Sequence, residues 1–130
     1  MFVDTSAFIA VLADEEDGLD LAAKIYDSPG CTTSALVVLE AVMRLTSKLR
    51  VEPREALARL EAFLGEASVV VTAIEPGYVY LAVEAFTRFG KGRGHPAQLN
   101  LADCLSYACA KSRGVPLLYK GNDFSRTDLK

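Results

Sequence analysis

A chain of 130 residues, 51% hydrophobic and 24% charged, has the length of one folded domain over residues 1–130 and the composition of a globular protein, which excludes intrinsic disorder and low-complexity function. Fourteen Lys and Arg against seventeen Asp and Glu leave a net charge of −3, which excludes nucleic-acid binding driven by overall charge. No apolar run reaches the roughly 18 residues of a membrane span, and Asp4 interrupts the start where a signal peptide needs a basic and then an apolar stretch, so the reading is a cytoplasmic protein without membrane contact.

Met1-Phe2-Val3 reads as a short strand ending at Asp4, followed by a turn and a short helix through Ala7–Leu12. Acids from Asp14 to Asp17 open a second helical pattern through Leu19, Ala22, Ala23 and Tyr26, which Pro29-Gly30 stops. Cys31-Thr32-Thr33 is a second strand, and Ser34 caps a long helix over Ala35–Leu49. Pro53 sits in the first turn of a helix carrying Leu57, Leu60, Phe63 and Leu64 that ends at Gly65. The run Val69-Val70-Val71 is the clearest strand signal, and its unbroken apolarity predicts burial on both faces inside a parallel sheet. Beyond Pro76-Gly77 comes a helix with Val79, Ala82, Val83 and Phe86, then a loop from Gly90 to Pro96. Asn100 caps a helix to Lys111, Gly114 closes it, and Leu117-Leu118-Tyr119 is the last strand. Strands alternating with helices predict an α/β fold: a three-layer α/β/α domain on a mainly parallel sheet of about four strands.

Cys31, Cys104 and Cys109 are odd in number, contain no CxxC pair and have only His95 as a companion ligand. Neither a disulfide framework nor a zinc site follows; free cysteines in apolar stretches are small core residues of a reducing compartment.

Open parallel sheets place their sites beyond the carboxyl ends of the strands. Asp4 lies at such an end, and Asp123 follows the last strand through Lys120-Gly121-Asn122, so acids from both ends of the chain meet if the first and last strands are neighbours. Asp103 falls in the first turn of the helix capped by Asn100, and Glu40 in the helix after strand two. Each has a structural reading as well: Asp4 as an N-cap, Asp103 as a complement to the helix dipole, Asp123 as a turn residue. Glu40 shares a face with Arg44 and Ser47, opposite Leu39, Val42, Leu45 and Leu49, so helical geometry favours an exposed ion pair with Arg44. Gathered without basic partners, such acids resist ionisation unless a cation is bound. Hard oxygen donors select Mg2+ or Mn2+, and such an ion activates water, orients a phosphodiester and stabilises the departing oxygen.

Four blocks then acquire meaning in order: Phe2-Val3-Asp4-Thr5-Ser6-Ala7; Leu36-Val37-Val38-Leu39-Glu40; Leu99-Asn100-Leu101-Ala102-Asp103-Cys104; and Pro116-Leu117-Leu118-Tyr119-Lys120-Gly121-Asn122-Asp123-Phe124. Together they resemble the signature of PIN-domain nucleases, in particular the VapC-type toxins of bacterial and archaeal toxin-antitoxin operons. The resemblance implies a four-stranded parallel PIN fold, Mg2+- or Mn2+-dependent endoribonuclease activity, a homodimer and a cognate antitoxin. By position, Asp4, Glu40 and Asp103 match the three central acids and Asp123 the fourth. Asn122 stands where relatives often carry a second acid, and Asp128 is a reserve candidate near the C-terminus. On this reading Asp4 and Asp103 bind the main ion, Glu40 and Asp123 hold waters or a second ion, and Ser6 and Asn100 orient them. It places Glu40 at the metal, where helical geometry alone preferred Arg44.

Gly90 to Ala97 resembles the loop before the third acid in a VapC subgroup. Arg88, Lys91 and Arg93 are the densest positive stretch for gripping RNA phosphates at the rim, and His95 reads as structural. Two rivals remain from other classes. A receiver-type phospho-acceptor domain would use Lys120 after the last strand, but it needs paired acids where Asp4 stands alone; a haloacid-dehalogenase phosphatase would need Asp in place of Ser6. A catalytically silent PIN-like domain would only bind a partner.

Overall fold

Phe2–Val3 is a strand of two residues, yet it is the axis of the sheet. The computed structural model describes residues 1–129. Their order is β1 (Phe2–Val3), α1 (Thr5–Leu12), α2 (Gly18–Asp27), β2 (Thr32–Ser34), α3 (Ala35–Leu49), α4 (Pro53–Glu66), β3 (Val70–Thr72), α5 (Tyr78–Phe89), α6 (Leu101–Arg113) and β4 (Leu117–Leu118). The sheet runs β3-β2-β1-β4, with every pairing parallel and helices on both faces, a three-layer α/β/α arrangement. The Phe2 amide donates to the Pro116 carbonyl at 2.8 Å and the Asp4 amide to the Leu118 carbonyl at 3.0 Å. The first and last strands are therefore neighbours, and the segments beyond them leave the same edge of the sheet.

Short polar residues at the strand ends start the helices that follow. Asp4 caps α1, Ser34 accepts from the Val37 amide at 3.2 Å to cap α3, and Asn100 caps α6, each cap stabilising its helix by about 1 kcal/mol. Phe2, Phe8, Ile25, Leu45, Leu60 and Tyr107 are fully enclosed between the layers. Cys31, Cys104 and Cys109 are buried as free thiols. No helix among the described residues is long and apolar enough to cross a membrane.

The structure overturns one expectation about the sheet. β3 lies at its edge rather than inside it, with Val70 57% and Val71 46% exposed. Unbroken apolarity says nothing of a strand's neighbours: β3 pairs only with β2, and at this edge both of its faces stay partly open. A smaller difference concerns α4, which continues past Gly65 to Glu66, the left-handed backbone appearing at Ser68 with φ 55°.

Candidate active site

Asp4 leaves β1 directly into α1 and is only 3% exposed. Its Oδ2 accepts two hydrogen bonds from Ser6, at 3.1 Å from the amide and 2.8 Å from Oγ. Its Oδ1 is buried without a partner, which is costly for a carboxylate oxygen. The N-cap and ligand readings are thus compatible, because capping uses one oxygen and leaves the other free.

Asp103 sits in the first turn of α6, 7% exposed, in a reciprocal capping box. Its amide donates to Asn100 Oδ1 at 2.9 Å, and the Asn100 amide donates to Asp103 Oδ2 at 3.0 Å. Burial raises the Asp103 pKa, the Asn100 amide lowers it in part, and the charges of Asp4, Asp123 and Glu40 raise it further, to about 7. Those four acids therefore share one electrostatic neighbourhood, although they come from β1, α3, α6 and the segment after β4.

Glu40 lies half-buried on α3, and Arg44 is exposed one turn further on. The ion pair favoured by helical geometry does not form: among the described residues the salt bridges are made elsewhere and Glu40 joins none. Asp123 is exposed on a turn that Gly121 enters with φ 97°, a conformation that favours glycine.

Among the described residues, no three carboxylate, imidazole or thiol side chains close on one point as ligands. The donor chemistry nonetheless fits a hard cation. Mg2+ characteristically takes one or two carboxylates and keeps several waters, and the buried, unpartnered Asp4 Oδ1 is the kind of oxygen that such an ion satisfies.

The family model of the PIN domain matches residues 1–130. This chain belongs to the PIN-domain family. Ribonuclease VapC28 of Mycobacterium tuberculosis is 42% identical over 130 residues, an alignment covering 100% of this chain and 96% of that protein. A VapC ribonuclease of Rhizobium meliloti (strain 1021) is 41% identical over 140 residues, covering 98% of each. The crystal structure of Mycobacterium tuberculosis VapC20, described as a sarcin-ricin loop cleaving toxin, matches with a TM-score of 0.77 over 99% of this chain and 95% of that one. At 20% identity, that likeness speaks for the fold.

The basic residues of this PIN domain are unequally free. Arg88 faces Glu84 at 3.3 Å and Asp128 at 3.8 Å and lies 4.5 Å from the centroid of the Phe89 ring. Arg93 lies 5.6 Å from the Phe86 centroid, and Lys91 is exposed. The loop that carries them is closed by a bridge between Gly90 and Leu99. His95 is structural: its Nδ1 accepts from the Ala97 amide at 3.0 Å, and its ring meets Phe89 edge to face. Asp128, the reserve acid, is committed elsewhere, accepting from Tyr107 Oη at 2.9 Å and Lys111 Nζ at 2.8 Å.

Sequence reasoning passed over two features of this PIN domain. Thr5 Oγ1, beside Asp4, is buried without a partner, and no periodicity marks it. Glu15, read as an ordinary acid before a helix, is gripped by Lys48 and Lys120. With its ammonium on Glu15, Lys120 does not play the part that a receiver-type domain requires of it.

Proposed function

We propose that this PIN domain, spanning residues 1–130, is a divalent-metal-dependent endoribonuclease and the toxin of a type II toxin-antitoxin pair. It hydrolyses phosphodiester bonds of RNA. The observation that carries the reading is the pair Asp4 and Asp103, both nearly enclosed at one edge of the sheet, the first with an unpartnered oxygen and the second with its pKa raised to about 7. Relatives named VapC ribonucleases, aligned over almost the whole chain, support it.

Asp4 and Asp103 would hold the ion, Mg2+ or Mn2+, and Glu40 and Asp123 would add negative charge beside it. Once bound, the ion lowers the pKa of water and stabilises charge on the phosphoryl oxygens. The chain supplies orientation. Ser6 holds Asp4 Oδ2, the Asn100 amide holds Asp103 Oδ2, and the remaining carboxylate oxygens are left for ion and water. At the rim, Lys91 and Arg93 grip RNA phosphates; Arg88 contributes less because two carboxylates already engage it.

The cytoplasm, where free thiols persist, is the compartment of this toxin, and a small cognate antitoxin neutralises it. A homodimer is favoured by the apolar groove of about 570 Å3 between α5 and α6, which exposes Val79, Val83, Phe86 and Leu101.

The purified chain is incubated with RNA and Mg2+ or Mn2+, with and without EDTA, beside Asp4→Asn and Asp103→Asn. Metal-dependent cleavage that both substitutions abolish supports the reading. Cleavage by the variants at the wild-type rate overturns the site, and no cleavage by the folded wild type favours a silent, partner-binding PIN domain.

A further inference from the structure

A cluster of acids normally recruits the nearest lysine, and this chain has one within reach. Lys120 follows β4 and precedes Asp123 by three residues. Its amide donates to Ser6 Oγ at 2.9 Å, and that hydroxyl donates to Asp4 Oδ2 at 2.8 Å. The Lys120 backbone thus stands two hydrogen bonds from the Asp4 carboxylate, a gap that a flexible lysine stem of four carbons spans.

The ammonium points elsewhere. Lys120 Nζ donates to Glu15 Oε1 at 3.0 Å, while Lys48 of α3 holds Glu15 Oε2. The hydrogen bond to Glu15, with the charges of Glu15, Asp17 and Glu16, raises the Lys120 pKa against the opposing effect of burial. Glu15 is well anchored for this task. Asp14 turns the chain with φ 54°, the Glu15 amide donates to the Ala10 carbonyl at 2.9 Å, and the Gly18 amide donates to the Glu15 carbonyl at 2.9 Å. Gly18 packs so closely that a Cβ there would meet the Ala10 oxygen at 2.5 Å, so the turn between α1 and α2 has one tight packing.

We propose that Glu15 is a positioning residue that holds the Lys120 ammonium away from the carboxylate pocket, so that the pocket takes a divalent cation instead of the chain's own lysine. The inference rests on the nuclease reading above. Released from Glu15, Lys120 pairs with Asp4 or Asp123 and competes with the metal for the same charge, so the effect falls on cation affinity, with the carboxylates themselves unaltered.

The test measures Mn2+ binding to the full chain by the EPR signal of free Mn2+, with melting curves to establish that each variant is folded. For Glu15→Gln the Mn2+ dissociation constant is expected to rise about fivefold to tenfold, the scale of one unit charge acting at an effective protein dielectric. The double variant Glu15→Gln with Lys120→Met is expected to return to the wild-type value. Unchanged affinity in folded Glu15→Gln overturns the proposal, as does a double variant as weak as the single one, which would mark Glu15 as merely structural. Wild type that binds no Mn2+, or binds it equally well with Asp4→Asn and Asp103→Asn, removes the nuclease reading and this inference together. Binding by wild type that Glu15→Gln leaves untouched removes this inference alone.

Discussion

Helix α6 has a carboxylate at each end, and the two are treated in opposite ways. Near its C-terminal end Asp128 receives Tyr107 Oη and Lys111 Nζ, with Arg88 close by. Burial raises the Asp128 pKa, but the hydrogen bonds from Lys111 and Tyr107 outweigh it and the net shift is downward. At the N-terminal end burial pushes Asp103 up to about 7, and its charged neighbours are acids. The chain can neutralise a carboxylate with its own side chains, and it does so where the carboxylate only fastens the C-terminal segment to α6. Around Asp103 no lysine or arginine makes such a pair among the described residues.

Substitutions at the two ends should separate. The largest effect is expected for Asp103→Asn, which keeps an oxygen for the capping box and removes the charge. RNA cleavage should fall by about a thousandfold, beyond the 10- to 100-fold loss typical of residues that only orient a metal ligand; cleavage within tenfold of wild type would break the contrast.

Next comes the pH response of the metal-free protein. Folded Asp103 holds its proton up to about pH 7, against an ordinary value of 3.8, so between these values the folded state binds more protons than the unfolded one. Stability should then fall as pH rises through that window, by about 2 to 4 kcal/mol. Thermal melts in EDTA at pH 4.5 and pH 7.5 check this, and Asp103→Asn should flatten the difference.

Ser6→Ala removes the hydroxyl that links Asp4 to the Lys120 amide and should weaken Mn2+ binding about tenfold, as measured by calorimetry. The smallest effect belongs to the compensated end: Asp128→Asn should cost about 1 kcal/mol in urea denaturation and leave cleavage unchanged. A comparable loss of cleavage there would show that the two ends are not functionally distinct.

Local chemistry made much of the fold readable. Ser34 and Asn100 were recognisable as caps because a short polar side chain before an apolar helical pattern has an orphan amide to satisfy, and Gly114 closes α6 in the left-handed conformation with φ 64°. Asp4 and Asp123 were readable as candidates because strand ends in an open parallel sheet share an edge, whereas Asp103, in the first turn of a helix, stood out from a dipole complement only through the resemblance to PIN-domain nucleases. The solvent-facing pair of Glu40 with Arg44 failed for a complementary reason: helical spacing reports which residues share a face, but not what the neighbouring elements bring to it. The edge position of β3 was likewise hidden, since apolarity is a property of a segment and neighbours are a property of the sheet.

The amino-acid sequence by itself determined where the helices begin, which stretches become strands, and that acids stand where the first and last strands end. Only the tertiary structure decided that these acids share one field and that Lys120 gives its charge to Glu15, a residue 105 positions away. Capping and periodicity act within a few residues, whereas the partner of a charge is set by strand order and by the packing of a turn that brings distant segments within hydrogen-bonding reach.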